Sequence, residues 1–310
     1  MTCGATTGRR LARRGASARL DVGRLPQAVA NGIKIEYERI GRRGDPPILL
    51  IMGLGAQLTS WDDDFCRQLA GAGFEVVRYD NRDSGLSTRL DELGPPDLLA
   101  ALSGTVAPPY GLETMAEDAA ALIAWLGLGR VHVAGISMGG MIAQLLAIRN
   151  PEWVLTLTTM MADTGGATRV MAEPEVFAEL LAAPLDGDVA DAVEQAVRLR
   201  KLLSGPRFDE PAARERAQRL IGRAYYPVGV LRQAAAVLSA GDRTFGLARL
   251  RIPALVVHGT SDPLVPFENG LRVHRAIPGS RLLVLDGVGH DLPPAEAQRV
   301  LDAMVTLARS

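Results

Sequence analysis

The sequence is poor in the residues that mark several classes of protein. Its 310 residues include only two cysteines and four histidines, and aromatic residues make up 5%. Cys3 and Cys66 are too few to frame a disulfide-stapled fold, so a reducing, cytoplasmic compartment is the simpler expectation. No pair of histidines has ligand spacing such as H-x-x-x-H, so neither a metal nor another cofactor is expected. No apolar run approaches the length of a membrane span. The net charge of −1 supplies no global field for nucleic acid or an anionic membrane. What the chain does have is a hydrophobic fraction of 47%, enough for a large core, together with 33 glycines.

Residues 1–24 differ from the rest. Arg9, Arg10, Arg13, Arg14, Arg19 and Arg24 face a single acid, Asp21, and no apolar stretch follows. That pattern excludes a secretory signal. It shares composition with an organelle transit peptide, but a disordered leader or an upstream start codon is the plainer reading. The segment is set aside for fold reasoning.

From Gln27 the pattern becomes regular. Asn31-Gly32 between two extended segments predicts a hairpin, since both residues tolerate positive φ. Apolar strands are then expected at Ile48–Met52, Glu75–Tyr79, Val131–Ala134 and Leu155–Met161. Helices are expected at Trp61–Ala72, Leu112–Gly127 and Met138–Arg149. Buried strands alternating with amphipathic helices predict an α/β fold, a mostly parallel eight-stranded sheet with helices on both faces. The alternation stops after Asp163. Segments 170–181, 188–203, 210–223 and 228–238 read as helices, which makes 164–250 an α-helical cap inserted into a core of 25–163 and 251–310. Strands at 254–258 and 281–285, each followed by a helix, complete the core.

The stretch Val131 to Gln144 organises the rest. Gly135-Ile136-Ser137-Met138-Gly139 fits G-x-S-x-G between a buried strand and a helix, the setting a nucleophile elbow requires. The turn forces the serine into a strained backbone and holds its hydroxyl beside a helix N-terminus. There the Met138 N–H is the candidate donor to a developing oxyanion. The loop Met52-Gly53-Leu54-Gly55 offers a second donor, the Leu54 N–H, because glycines permit close backbone approach.

A serine hydroxyl needs a base, and the base needs an orienting carboxylate. His132 lies inside a strand and reads as a core histidine. His258 ends a strand with no obvious partner, and His274 sits in a helix as a solvated residue. Only His290 occupies a loop after a late strand, in Gly287-Val288-Gly289-His290. Asp262, in Thr260-Ser261-Asp262-Pro263, follows the strand at 254–258. It gives the chain order Ser137, Asp262, His290. Asp163, after the strand at 155–161, is the alternative acid, and Asp286 is a further rival close to His290.

These motifs, with Arg78-Tyr79-Asp80-Asn81-Arg82-Asp83-Ser84-Gly85-Leu86-Ser87, resemble those of the α/β-hydrolase superfamily from about residue 25 onward. Within it, the stretch from Met52-Gly53 to Trp61 and the Arg78–Ser87 loop are most similar to the aclacinomycin methylesterase type of bacterial carboxylic ester hydrolase. The resemblance implies a serine hydrolase that cleaves a carboxylic ester through an acyl-enzyme, with the Leu54 and Met138 amides as the oxyanion hole. It also implies a mainly structural role for Asp80 and Arg82. One departure is Met52-Gly53 where many members carry His-Gly, which leaves the backbone donor in place. The helical insertion suggests a small, apolar ester as partner. The same triad also serves amide or imino-peptide cleavage, C–C bond hydrolysis, lyase chemistry or cofactor-free peracid formation. A non-catalytic binding scaffold is the third reading. Oligomeric state is not legible in the sequence.

Overall fold

The computed structural model describes residue 1 and residues 25–182, 188–205 and 208–310. The Arg-rich leader, apart from Met1, lies outside the described residues.

The hairpin forms as its turn residues predict. β1 (Gln27–Ala30) pairs antiparallel with β2 (Ile33–Ile40). The turn is made by Asn31 at φ 48° and Gly32 at φ 76°. The other strands are β3 (Pro47–Ile51), β4 (Glu75–Tyr79), β5 (Val131–Ile136), β6 (Val154–Met160), β7 (Ala254–Gly259) and β8 (Arg281–Leu285). The eight form one sheet in the order β1-β2-β4-β3-β5-β6-β7-β8. β2 meets β4 antiparallel, and every later pairing is parallel.

The parallel strands bury both faces, and their two-residue period divides the core. Leu49 and Ile51 of β3, with Val77 and Tyr79 of β4 and Val256 of β7, join one buried cluster. Ile48 and Leu50, with Val76, Leu255 and Val257, join the other. The first cluster is covered by α3 (Leu112–Leu126) and α4 (Met138–Arg149), the second by α1 (Asp63–Gly71) and α11 (Pro294–Ala308). The remaining helices are α2 (Leu98–Ser103), α5 (Pro174–Leu181), α6 (Val189–Ser204), α7 (Glu210–Arg223), α8 (Pro227–Leu238), α9 (Thr244–Leu247) and α10 (Phe267–Ala276).

Helix boundaries are where the sequence reading needs adjustment. α1 starts at Asp63 rather than Trp61, because Asp62 caps it by accepting the Asp64 and Phe65 N–H groups. α5 starts at Pro174, not Val170. Proline at the first helical position holds Glu173 extended, at ψ 133°. The short α2 was not anticipated. Asp97 caps its start and Gly104, at φ 71°, ends it.

The insertion between β6 and β7 is fastened to the core by buried charge. Arg232 of α8 and Asp83, both fully buried, form a two-pronged ion pair at 2.8 and 2.7 Å. Arg223 of α7 reaches Asp80 at 2.8 Å. The Arg78–Ser87 loop therefore ties turns together, as the family resemblance implies, and also anchors the insertion. Asp80 accepts from Leu58 N and Leu86 N, and Arg82 pairs bidentately with Asp118. Among the described residues no helix is long and apolar enough to cross a membrane.

Candidate active site

Ser137 stands between β5 and α4 with φ 57° and ψ −126°, a region that side-chain-bearing residues rarely enter. The surrounding glycines explain how the turn holds. A Cβ on Gly135 would lie 2.1 Å from the Gly139 carbonyl oxygen, and one on Gly139 would lie 2.2 Å from that of Ile51. The strand, turn and helix close only without those methylenes. Ser137 occupies the N-cap position of α4, yet its side chain makes no capping bond. The hydroxyl is thus not consumed by the helix.

The loop after β3 packs directly on this serine. A Cβ on Gly53 would stand 3.1 Å from Ser137 Cβ and 3.7 Å from its Oγ. Three bonds fix the loop. Asn81 Nδ2 donates to Met52 O at 2.9 Å, Ser84 Oγ to Ala56 O at 2.8 Å, and Gly55 N to Gln233 Oε1 at 2.8 Å. The described hydrogen bonds assign no acceptor to the Leu54 and Met138 amides.

Asp262 and His290 are brought together by the ends of β7 and β8. His290 Nδ1 lies 2.7 Å from Asp262 Oδ2. The other carboxylate oxygen, Oδ1, accepts from Leu264 N at 3.0 Å and Val265 N at 2.8 Å, which fixes the carboxylate plane. Burial alone would push this carboxyl up. The charge on His290, with hydrogen bonds from His258 and His290, outweighs burial and holds it at about 2. Asp262 is therefore an anion at neutral pH. Ser137, His290, Leu54 and Met138 all line one cavity of about 780 Å³. Its far wall comes from the insertion, through Phe177, Leu203, Val237 and Leu238 among others.

Asp163, the alternative acid, is also on that lining but is engaged elsewhere. Its Oδ1 accepts from Gly165 N at 2.8 Å and from Arg243 Nη2 at 3.0 Å. Asp286 accepts a hydrogen bond from Thr260 Oγ1 at 3.3 Å. His132 is a core residue bonded to Thr156 Oγ1 at 2.9 Å. His274 is not simply solvated: it is half-buried and bonded to Ser280 Oγ at 2.8 Å.

Sequence reasoning missed His258. It is fully buried, with Nε2 at 2.7 Å from Val265 O and 3.5 Å from Asp262 Oδ2. It approaches the same carboxylate oxygen, Oδ2, that His290 bonds. Its position four residues before Asp262, at the end of the same strand, was the available signal. Gln233 was also missed, and no local motif marks it, since it acts from the helical insertion across the interior.

The profile of the alpha/beta hydrolase fold family matches residues 46–294. The chain belongs to that family. Among characterised relatives, it is 32% identical to rhodomycin D methylesterase DauP of Streptomyces sp. (strain C5), over 88% of this chain and 94% of that one. It is 30% identical to rhodomycin D methylesterase DnrP of Streptomyces peucetius, again over 88% and 94%. Among solved structures, the enol-lactonase of Burkholderia xenovorans LB400 superposes with a TM-score of 0.73 at 22% identity. That match covers 92% of this chain and 100% of the other.

Proposed function

We propose that the protein is a serine-dependent carboxylic ester hydrolase of methylesterase type. The observation that carries this reading is the Asp262–His290 bond at 2.7 Å, on the wall of the cavity that also holds the strained Ser137. In this reading His290 Nε2 takes the Ser137 proton as the hydroxyl attacks the ester carbonyl. Asp262 fixes the Nδ1–H tautomer and stabilises the imidazolium. The Leu54 and Met138 amides receive the oxyanion. The alcohol leaves with the proton from His290, an acyl-enzyme remains on Ser137, and water activated by His290 releases the acid.

The similarity to two rhodomycin D methylesterases supports a methyl ester as the scissile group. A cavity of about 780 Å³ suits a multi-ring acyl skeleton rather than a short chain. The test is labelling and turnover together. A fluorophosphonate is expected to modify Ser137, and Ser137→Ala to lower methyl-ester hydrolysis by about 10⁴-fold or more. A folded protein that turns over esters equally well with alanine at 137 would overturn the proposal.

A further inference from the structure

One wall of the cavity differs from the rest of its lining. Where Ser60 and Trp61 of the core meet α7, Arg216 lines the space. It is half-buried, and its Nη2 donates to Ser60 O at 3.1 Å. No carboxylate among the described residues forms an ion pair with it. Its neighbours on α6 and α7 contrast with it. Arg198 pairs with Glu179, Arg200 with Asp291, Arg214 with Glu194 and Glu210, Arg219 with Glu215, and Arg223 with Asp80. Arg169, another cation on the lining, gives its terminal nitrogens to the Val237 and Leu238 carbonyls of α8.

The acids on the same lining are already engaged. Asp62 caps α1, Asp64 pairs with Arg67, Asp209 caps α7, and Asp291 is held by Arg200 and by Ser204 Oγ at 3.3 Å. Burial and the nearby Arg200 lower the Arg216 pKa to about 10 against the opposing pull of Asp291 and Asp62, so the guanidinium is still a cation at neutral pH. A cation on the cavity wall with no carboxylate in ion-pair contact is free to take an anion that enters the cavity.

We propose that Arg216 binds a carboxylate carried by the substrate apart from its scissile ester. The guanidinium fork matches a carboxylate in a two-pronged arrangement. The substrate class is then the half-ester of a polycarboxylic acid on an apolar skeleton, and the product is the free polyacid. This assignment rests on the reading of Ser137 as the nucleophile.

The experiment compares monomethyl esters of α,ω-dicarboxylic acids of increasing chain length with neutral counterparts in which a carboxamide replaces the free acid. The readout is the ratio of kcat/KM values, which does not depend on the fraction of folded enzyme. Wild type is expected to prefer the acid by about tenfold at an optimal length. Arg216→Gln is expected to bring the ratio below about twofold, and Arg216→Lys to give an intermediate value. No preference at any length, or a preference that survives Arg216→Gln, overturns the proposal. Calorimetric titration with the free dicarboxylates and their diamides reads the same site without turnover. Dicarboxylate binding that weakens about tenfold in Arg216→Gln supports it; equal binding of both ligand types by wild type overturns it. Absence of any ester turnover with selective dicarboxylate binding intact would strike the Ser137 reading and leave the Arg216 site standing.

Discussion

Gln233, fully buried in α8, accepts the Gly55 N–H at 2.8 Å and donates to the Arg82 carbonyl at 2.7 Å. One amide from the helical insertion thereby bridges the loop beside Ser137 and the loop after β4. Gly55 sits at φ 67° with Val230 of α8 against it, so a Cβ there would meet the valine at 3.0 Å. The insertion is thus part of the framework that holds the Leu54 amide. Gln233→Leu is expected to lower kcat for ester hydrolysis by about tenfold to a hundredfold, with KM changed far less. Steady-state kinetics checked against circular dichroism will show it; a change confined to KM would exclude this positioning role.

The insertion also touches the other side of the site. The His290 N–H donates to Leu203 O at 2.8 Å, at the end of α6. A Cβ on Gly289 would lie 1.9 Å from that same oxygen. Gly289→Ala must therefore separate α6 from the histidine loop. Its expected outcome is a loss of activity of about a hundredfold with the core still folded, measured by kcat/KM and thermal melting. Wild-type activity in this variant would contradict the contact.

The two candidate acids make opposite predictions. Asp262→Asn is expected to lower kcat by about 10⁴-fold, since the amide no longer fixes the Nδ1–H tautomer of His290. Asp163→Ala leaves that hydrogen bond intact and instead strands the buried Arg243 guanidinium. It should cost about 3 kcal/mol of stability, with kcat falling by no more than about threefold. Urea titration and kinetics on both variants separate the roles.

The low pKa of Asp262 has a pH signature. A carboxyl held below its ordinary value, from 3.8 to about 2, contributes stability that is fully present above pH 3.8. That contribution is lost as pH falls through about 2. His290→Gln removes the main opposing charge, leaving burial to push the carboxyl up. The stability gap between wild type and His290→Gln should be complete near pH 5 and shrink steadily toward pH 2. Urea midpoints across that range give the result; a gap independent of pH would rule the linkage out.

The parts of the fold legible in the sequence were those written in local pattern. The unbroken apolar run Ile48–Ile51 marks a β3 buried on both faces, and Asn31-Gly32 marks the hairpin turn. Gly135 and Gly139 reveal the tight approach around Ser137 because a methylene at either place would collide with backbone. Asp262 and His290 were legible as loop residues after late strands. Residues acting across the insertion were not. Gln233, Arg216 and Leu203 lie in helices of ordinary amphipathic composition, where nothing local distinguishes a residue aimed at a distant loop from one that packs.

The sequence by itself determined the alternation of strands and helices, the turn at Ser137 and the order of the three chemical groups. Short-range sterics and hydrophobic period act between near neighbours in the chain, so they can be read there. Only the tertiary structure decided that Asp262 rather than Asp163 meets His290, that His258 backs the carboxylate, and that Gln233 holds Gly55. Those outcomes depend on where strand ends and the helical insertion converge in space, and hydrogen bonds of about 3 Å discriminate between candidates only once that convergence exists.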